Sequence, residues 1–183
     1  KFSEQQILDC TGGYYGTSGC DGGLSQSGLA YAQRFGVMLL EDYEYVFTEG
    51  NCRFESKKVA YKPKAFHQVP PENNLAVMYQ LTKQPLAIAI DADGLEFRFY
   101  KSGVYRSDDS PKNLDHAVLI VGYGHEPNPT DPDVMVPYYL LKNSWNTTWG
   151  EEGYMKIYRI MDIKTPGTNG ILQQVYYPAI EKQ

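Results

Sequence analysis

Asp115-His116-Ala117-Val118-Leu119-Ile120-Val121-Gly122-Tyr123-Gly124, followed by Lys142-Asn143-Ser144-Trp145 and Trp149-Gly150-Glu151-Glu152-Gly153-Tyr154, carries the strongest signals in this chain. The run from Ala117 to Val121 is short, apolar and rich in branched side chains, the pattern of a strand buried in a sheet. A histidine stands at its head, and the next strand-like run ends at an asparagine. An imidazole acts as a general base near neutral pH, and a carboxamide oxygen that accepts its other ring N–H fixes tautomer and orientation. His116 and Asn143 are read as a base and its orienting group. Each residue alone fits an ordinary core; the two blocks in order point to chemistry, and a nucleophile is the missing party.

Around these blocks, 183 residues that are 42% hydrophobic and 21% charged suffice for one large domain or two lobes with cores of their own. The formal charge of -5 and the scattering of the 17 Lys+Arg leave no concentrated basic face, so no nucleic-acid partner is expected. No apolar run approaches the length that crosses a bilayer, so no membrane partner is expected either. No cofactor is expected, and no metal. His67 and His125 lack partners at ligand spacing, and Asp91-Ala92-Asp93-Gly94 lacks the remaining positions of a calcium loop and reads as a turn. The chain starts at Lys1, not Met, and opens directly into a helix, so it reads as a piece of something longer.

Ser3 is a natural N-cap, and Gln6 completes a capping box for a helix to about Asp9. The glycine-rich segment 11–23 must be loop. Over 24–35, Gly28, Leu29, Ala32 and Phe35 mark one helical face, and Gly36 stands as the stop. Gln68-Val69-Pro70-Pro71-Glu72 ends regular structure and makes the best lobe boundary. A helix is expected over 73–83, with Leu75, Met78 and Leu81 inward. Beyond it, strands are expected over 86–90, 103–106, 116–123, 137–142, 154–159 and 171–177, closing into a barrel-like sheet. Segment 125–133, with its prolines, reads as an exposed loop between two strands.

The blocks DHAVLIVGYG and KNSWNTTWGEEGY, with Ser3-Glu4-Gln5-Gln6-Ile7-Leu8-Asp9-Cys10 and Gly19-Cys20-Asp21-Gly22-Gly23, resemble the papain family of cysteine proteases, its cathepsin L-like members in particular. The resemblance covers essentially the whole chain. It implies an α+β, papain-like two-lobe fold, incomplete at the N-terminus. The rest of a helical left lobe spans 1–67, an antiparallel β-barrel right lobe spans 68–176, and a tail, 177–183, crosses back. It implies a cysteine-type endopeptidase made as a zymogen, lysosomal, vacuolar or secreted. His116 and Asn143 would be catalytic, Trp145 would shield them, and the cysteine nucleophile and oxyanion-hole glutamine would lie in the absent segment.

Three cysteines cannot all pair within the chain. The resemblance pairs Cys10 with Cys52 and assigns Cys20 to a cysteine in the absent segment. Gly22 and Gly23 would offer backbone groups to an extended substrate. The pocket for the second residue upstream of the cut would be lined by Leu24, Ser25, Ala89, Leu114 and Ala117, with Gln174 at its far end and Asp115 also contacting substrate. That lining favours apolar side chains. The implied partners are extended polypeptides, the missing segment of the same protein, and cystatin-like inhibitors. A third family disulfide would fall at Ser110 and Asn169, neither a cysteine, so loops 107–113 and 164–170 should be looser than in members with the bridge.

Asn146 departs from the resemblance, which has glycine after Asn-Ser-Trp, and opens a glycosylation sequon, Asn146-Thr147-Thr148. The competing reading is a papain-fold structural or binding component of a larger assembly. Such a scaffold has no need of His116, Asn143 and Trp145 together.

Overall fold

Ser3 turns an extended entry into α1 (Glu4–Cys10): its Oγ accepts from the Gln6 N–H at 3.0 Å and donates to the Tyr43 carbonyl at 2.7 Å. These and all later positions come from a computed structural model that describes residues 1–107, 111 and 113–179. Contacts divide the chain into two units, Lys1–His67 with the chain returning at Pro178, and Gln68–Tyr177.

In the first unit only half of the expected capping box forms. The buried Gln6 carboxamide donates to Tyr31 Oη and to the Gly36 carbonyl, each at 3.1 Å, and accepts from the Met38 N–H at 2.7 Å. It therefore satisfies three groups that would otherwise be buried without partners, each costing about 1–3 kcal/mol. Gln5, equally buried, bonds Asp9, the Thr48 carbonyl and the Val46 N–H. Cys10 and Cys52 form a disulfide. In α2 (Ser25–Phe35) the buried side chains are Ser27, Tyr31 and Ala32, whereas Phe35, expected inward, is exposed. Tyr31 takes the interior because its hydroxyl accepts from Gln6 there. Gly36 ends the helix at φ 88°, where an added Cβ would fall 2.4 Å from a Val59 methyl. The chain then makes β1 (Val37–Met38), antiparallel to β2 (Val59–Tyr61).

In the second unit, α3 (Asn74–Leu81) is capped by Asn73 Oδ1, which accepts from the Ala76 N–H at 2.9 Å. Asn74 and Val77 face inward, Met78 and Leu81 pack partly against the core, and Leu75, expected inward, is 57% exposed. The side chain of Asn74 takes the inner site because its Nδ2 donates to the Ile160 carbonyl and its Oδ1 accepts from Tyr139 Oη.

The sheet of β3 (Phe66–Gln68), β4 (Leu86–Ile90), β5 (Val104–Tyr105), β6 (His116–Asn128), β7 (Asp131–Lys142), β8 (Tyr154–Tyr158) and β9 (Val175–Pro178) has the order β3-β9-β4-β6-β7-β8-β5. The pairings β4–β6, β4–β9, β6–β7 and β7–β8 are antiparallel, whereas the two-residue β5 joins β8 parallel. Alternation fills the core: Leu86, Ile88 and Ile90 from β4, Val118 and Ile120 from β6, Tyr139 and Leu141 from β7, Met155 and Ile157 from β8. Each such aliphatic side chain contributes about 1.5–3 kcal/mol on burial.

Two strand boundaries differ from expectation. Segment 125–133 is not a loop: β6 and β7 run on as a hairpin paired as far as Asn128 and Asp131. Pairing to β4 stops at Ile120 and pairing to β8 at Tyr138, so among the described residues this arm has two free edges, where proline's missing N–H costs no ladder bond. The last strand starts at Val175, not 171, because Ile171 and Leu172 are both fully buried. Consecutive strand residues point to opposite faces, and a turn is what lets both enter one core.

Segment 164–170 is closely packed from Thr165 onward. Asn169 is buried, its Nδ2 donates to the Asp91 carbonyl at 2.7 Å, and its own carbonyl accepts from the Asp91 N–H at 3.0 Å. Its expected counterpart Ser110 lies outside the described residues. So do residues 180–183; before them, Ala179 donates its N–H to the Ala65 carbonyl at 2.9 Å.

Candidate active site

His116 begins β6 opposite Ile90, the last residue of β4. It shares a strand face with the buried Val118 and Ile120, and Asn143, just past β7, continues the row of Tyr139 and Leu141. With Leu119 opposite Lys142, the apolar rows of two adjacent strands end in a diagonal polar pair. His116 Nε2 lies 2.8 Å from Asn143 Oδ1. The same oxygen accepts from the Ser144 N–H at 2.7 Å, and a backbone N–H can only donate, which assigns the amide oxygen. The ring proton therefore sits on Nε2, and the neutral imidazole keeps its lone pair on Nδ1. Asn143 itself is held by its N–H to the Gly153 carbonyl at 3.0 Å.

The Trp145 ring lies 4.8 Å from the His116 ring at an interplanar angle of 32°. It is supported from behind by α4 (Leu95–Arg98): the fully buried Phe97 meets Trp145 edge-on and lies tilted against Trp149, each at 5.7 Å. Trp149 donates its indole N–H to the Arg98 carbonyl at 3.0 Å. A cavity of about 460 Å³ beside the imidazole is lined by Ala92, Arg98, Asp115, His116 and Trp145. Asp115 Oδ1 accepts from the Ala92 N–H at 2.8 Å, pinning the turn after β4 to the head of β6. Nothing in the sequence marks Phe97 and Arg98 for this role, because the link between this helix and the tryptophan loop has no local signature.

Behind the tryptophans, Glu151 accepts from the Gly103 N–H at 2.8 Å and Tyr100 Oη at 3.1 Å and pairs with Lys156 at 3.2 Å. Burial works to raise its carboxyl, but the Gly103 N–H, Lys156 and Tyr100 outweigh it and hold the pKa below the usual range. Burial pushes the Tyr100 hydroxyl up to about 12.

Other residues singled out from the sequence fall as follows. Ala89 and Ala117 are opposite one another on β4 and β6, and Gln174 accepts the Ala89 N–H at 3.2 Å. Leu114 is half-buried beside Gly170, where an added Cβ would come within 2.8 Å of it. In the other unit, Gly22 has φ 118° and ψ -179°, Gly23 and Leu24 are exposed, and Ser25 starts α2. Cys20 is exposed and free of a disulfide. Asn146 is exposed with φ 69°. Among the described residues no cluster of His, Cys, Asp or Glu could hold a metal, and no helix is long and apolar enough to cross a membrane.

The sequence model of the papain family cysteine proteases matches residues 1–179. The chain belongs to that family. Among its papain-family relatives, the cathepsin L-like proteinase of Fasciola hepatica is 37% identical over 161 residues, covering 87% of this chain and 47% of that protein. Mexicain of Jacaratia mexicana is 36% identical over 182 residues, covering 97% of this chain and 76% of that protein. The structure of digestive procathepsin L 3 from Tenebrio molitor larval midgut matches with a TM-score of 0.85 at 32% identity, covering 98% of this chain and 56% of that one. The architecture is thus the α+β papain-like fold, and the chain spans about half the length of the Fasciola relative.

Proposed function

We propose that the protein containing this chain is a cysteine-type endopeptidase acting on extended polypeptides in a lysosomal, vacuolar or secreted setting. The observation that carries this is the 2.8 Å contact of His116 Nε2 with Asn143 Oδ1 beneath Trp145, which leaves Nδ1 as the base. A cysteine from outside these residues is the nucleophile, held as thiolate by the His116 imidazolium. Thiolate attack on the peptide carbonyl gives a tetrahedral oxyanion, and N–H donors stabilise it. His116 then protonates the leaving amine from Nδ1 and next takes a proton from the water that hydrolyses the acyl-enzyme. Asn143 keeps the ring turned correctly through both steps, and Trp145 keeps water from the supporting bond.

Ala89, Leu114 and Ala117, with the uncharged Gln174, form the wall that receives the second residue upstream of the cut. An apolar side chain is preferred there, and cystatin-like proteins are the expected inhibitors. Treating the full-length protein with a thiol-reactive epoxide and mapping the labelled peptide tests the chemistry. Label on a cysteine outside these 183 residues, with hydrolysis abolished, supports the reading; hydrolysis that survives complete cysteine alkylation sinks it. Faster cleavage after an Arg than after a Phe or Leu at the second upstream position would overturn the pocket assignment alone.

A further inference from the structure

Asn146-Thr147-Thr148 is the one Asn-X-Ser/Thr sequence in the chain open to modification, because Asn128-Pro129-Thr130 has proline at its middle position. All three residues are exposed. Asn146 sits at the turn between the two tryptophans, with φ 69°, and its carbonyl accepts the Trp149 N–H at 3.3 Å. Its side-chain oxygen accepts from the Thr147 N–H at 2.6 Å and from Thr147 Oγ1 at 3.2 Å. Nδ2, the atom through which a glycan is attached, makes no hydrogen bond among the described residues, and neither does the Thr148 hydroxyl. The Cys10–Cys52 disulfide adds an independent requirement, since such bonds persist in the oxidising secretory compartments where N-linked sugars are added.

We propose that Asn146 carries an N-linked glycan that stands at the leaving-group end of the site and limits which chains can be accommodated there. In the transfer, a bond forms between Asn146 Nδ2 and the anomeric carbon of a lipid diphosphate-linked oligosaccharide. The bond from that carbon to the diphosphate breaks, the lipid diphosphate leaves with the electron pair, and Nδ2 gives one proton to a base of the transferase.

The glycan's effect on substrates rests on the proteolytic function proposed above. Ala89, Ala117 and Gln174, which face the acyl side, lie along β4 and β6 on one side of His116. The cavity beside His116 is lined by Ala92, just past the end of β4, with Arg98, Asp115 and Trp145, and it is left for the departing amine and the residues after it. Asn146 follows Trp145 directly, so a branched sugar there borders this end and not the acyl end. A short leaving group stays clear of it, whereas a folded protein substrate meets it.

The test uses full-length protein made in a eukaryotic secretory host, with Thr148→Ala, Thr148→Ser and Asn146→Gly variants. Glycine suits the left-handed backbone at 146, so that variant removes the sugar without strain. The mass of the peptide spanning residue 146 should fall on enzymatic deglycosylation of the wild type and of Thr148→Ser, with Asn146 converted to Asp, and should not change for the other two. An unmodified Asn146 peptide from the wild type overturns the proposal. Losing the sugar should raise cleavage of folded protein substrates several-fold and leave cleavage of a peptide with a small fluorogenic leaving group unchanged. Equal rates on both substrates overturn the steric role. Absence of hydrolysis in every variant would count against the proteolytic reading, while the mass measurement would still decide the modification.

Discussion

The indole N–H of Trp149 donates to the carbonyl oxygen of Arg98, 3.0 Å away and 51 residues earlier in the chain. That bond fastens the loop after β7 to the end of α4, and Phe97 fills the angle between Trp145 and Trp149. The histidine's cover is thus seated on a helix far from it in sequence. Phe97→Ala should destabilise the fold by about 3–5 kcal/mol through the cavity it opens. It should also lower activity, because Trp145 loses its backing. Urea unfolding with a parallel assay checks both, and an unchanged midpoint would show that the aromatic cluster is not what supports the site.

Asn143→Ala leaves the His116 Nε2–H and the Ser144 N–H without their acceptor. The expected loss in kcat is on the order of 10²-fold or more, with KM little changed, since the oriented proton transfer and not binding is affected. Steady-state kinetics on the full-length protein reads the split.

Replacing both Cys10 and Cys52 by serine opens a disulfide that spans 42 residues of sequence. Loop entropy predicts a loss of about 4 kcal/mol. Denaturant melts under non-reducing conditions measure it, and a much smaller loss would mean that Gln5, Gln6 and Tyr43 already hold this region.

Glu151 gives the fold an acid limb. Its pKa is held below the ordinary 4.5, burial being outweighed by the Gly103 N–H, Lys156 and Tyr100. The unfolded chain therefore binds that proton more readily, so the stabilisation is present above 4.5 and is lost as pH falls through the lowered value. Lys156, held above 10.5 chiefly by Glu126, contributes in the opposite sense: fully below 10.5, and lost as pH rises through its raised value. Glu151→Gln should melt below the wild type at neutral pH, and the two Tm curves should converge in acid. Parallel curves down to about pH 2 would remove Glu151 from the account.

Arg159 is the only buried charged residue among those described, and it has no carboxylate partner. Nη2 donates to His125 Nε2 at 3.2 Å, Nη1 meets Met78 Sδ at 3.4 Å, the Tyr139 ring lies 5.9 Å from the guanidinium, and Nε has no partner. A desolvated cation with neutral neighbours gains little, so Arg159→Met should be neutral or stabilising in thermal melts.

Features whose signals lie within a few residues of one another were legible in the sequence. The strand expected over 86–90 is β4, Ser3 starts α1, and Gly36 ends α2. Prolines misled over 125–133, since their effect depends on whether an edge is free, and that is settled by how far β4 and β8 extend. Leu75 and Phe35 misled because hydrophobicity alone does not rank a face. Asn74 and Tyr31 reach polar partners inside that an alkyl or phenyl side chain cannot use.

By itself, then, the sequence determined the strand and helix signals, a histidine at the head of a buried strand, and an asparagine after the next. Each is written in residues close enough to impose a local periodicity. Only the tertiary structure decided that Gln6 turns inward to Tyr31, Gly36 and Met38, that Phe97 seats both tryptophans, and that Asn169 binds Asp91. These contacts join residues tens of positions apart, and an interior satisfies its polar groups and fills its volume by proximity in space, which leaves no periodic trace along the chain.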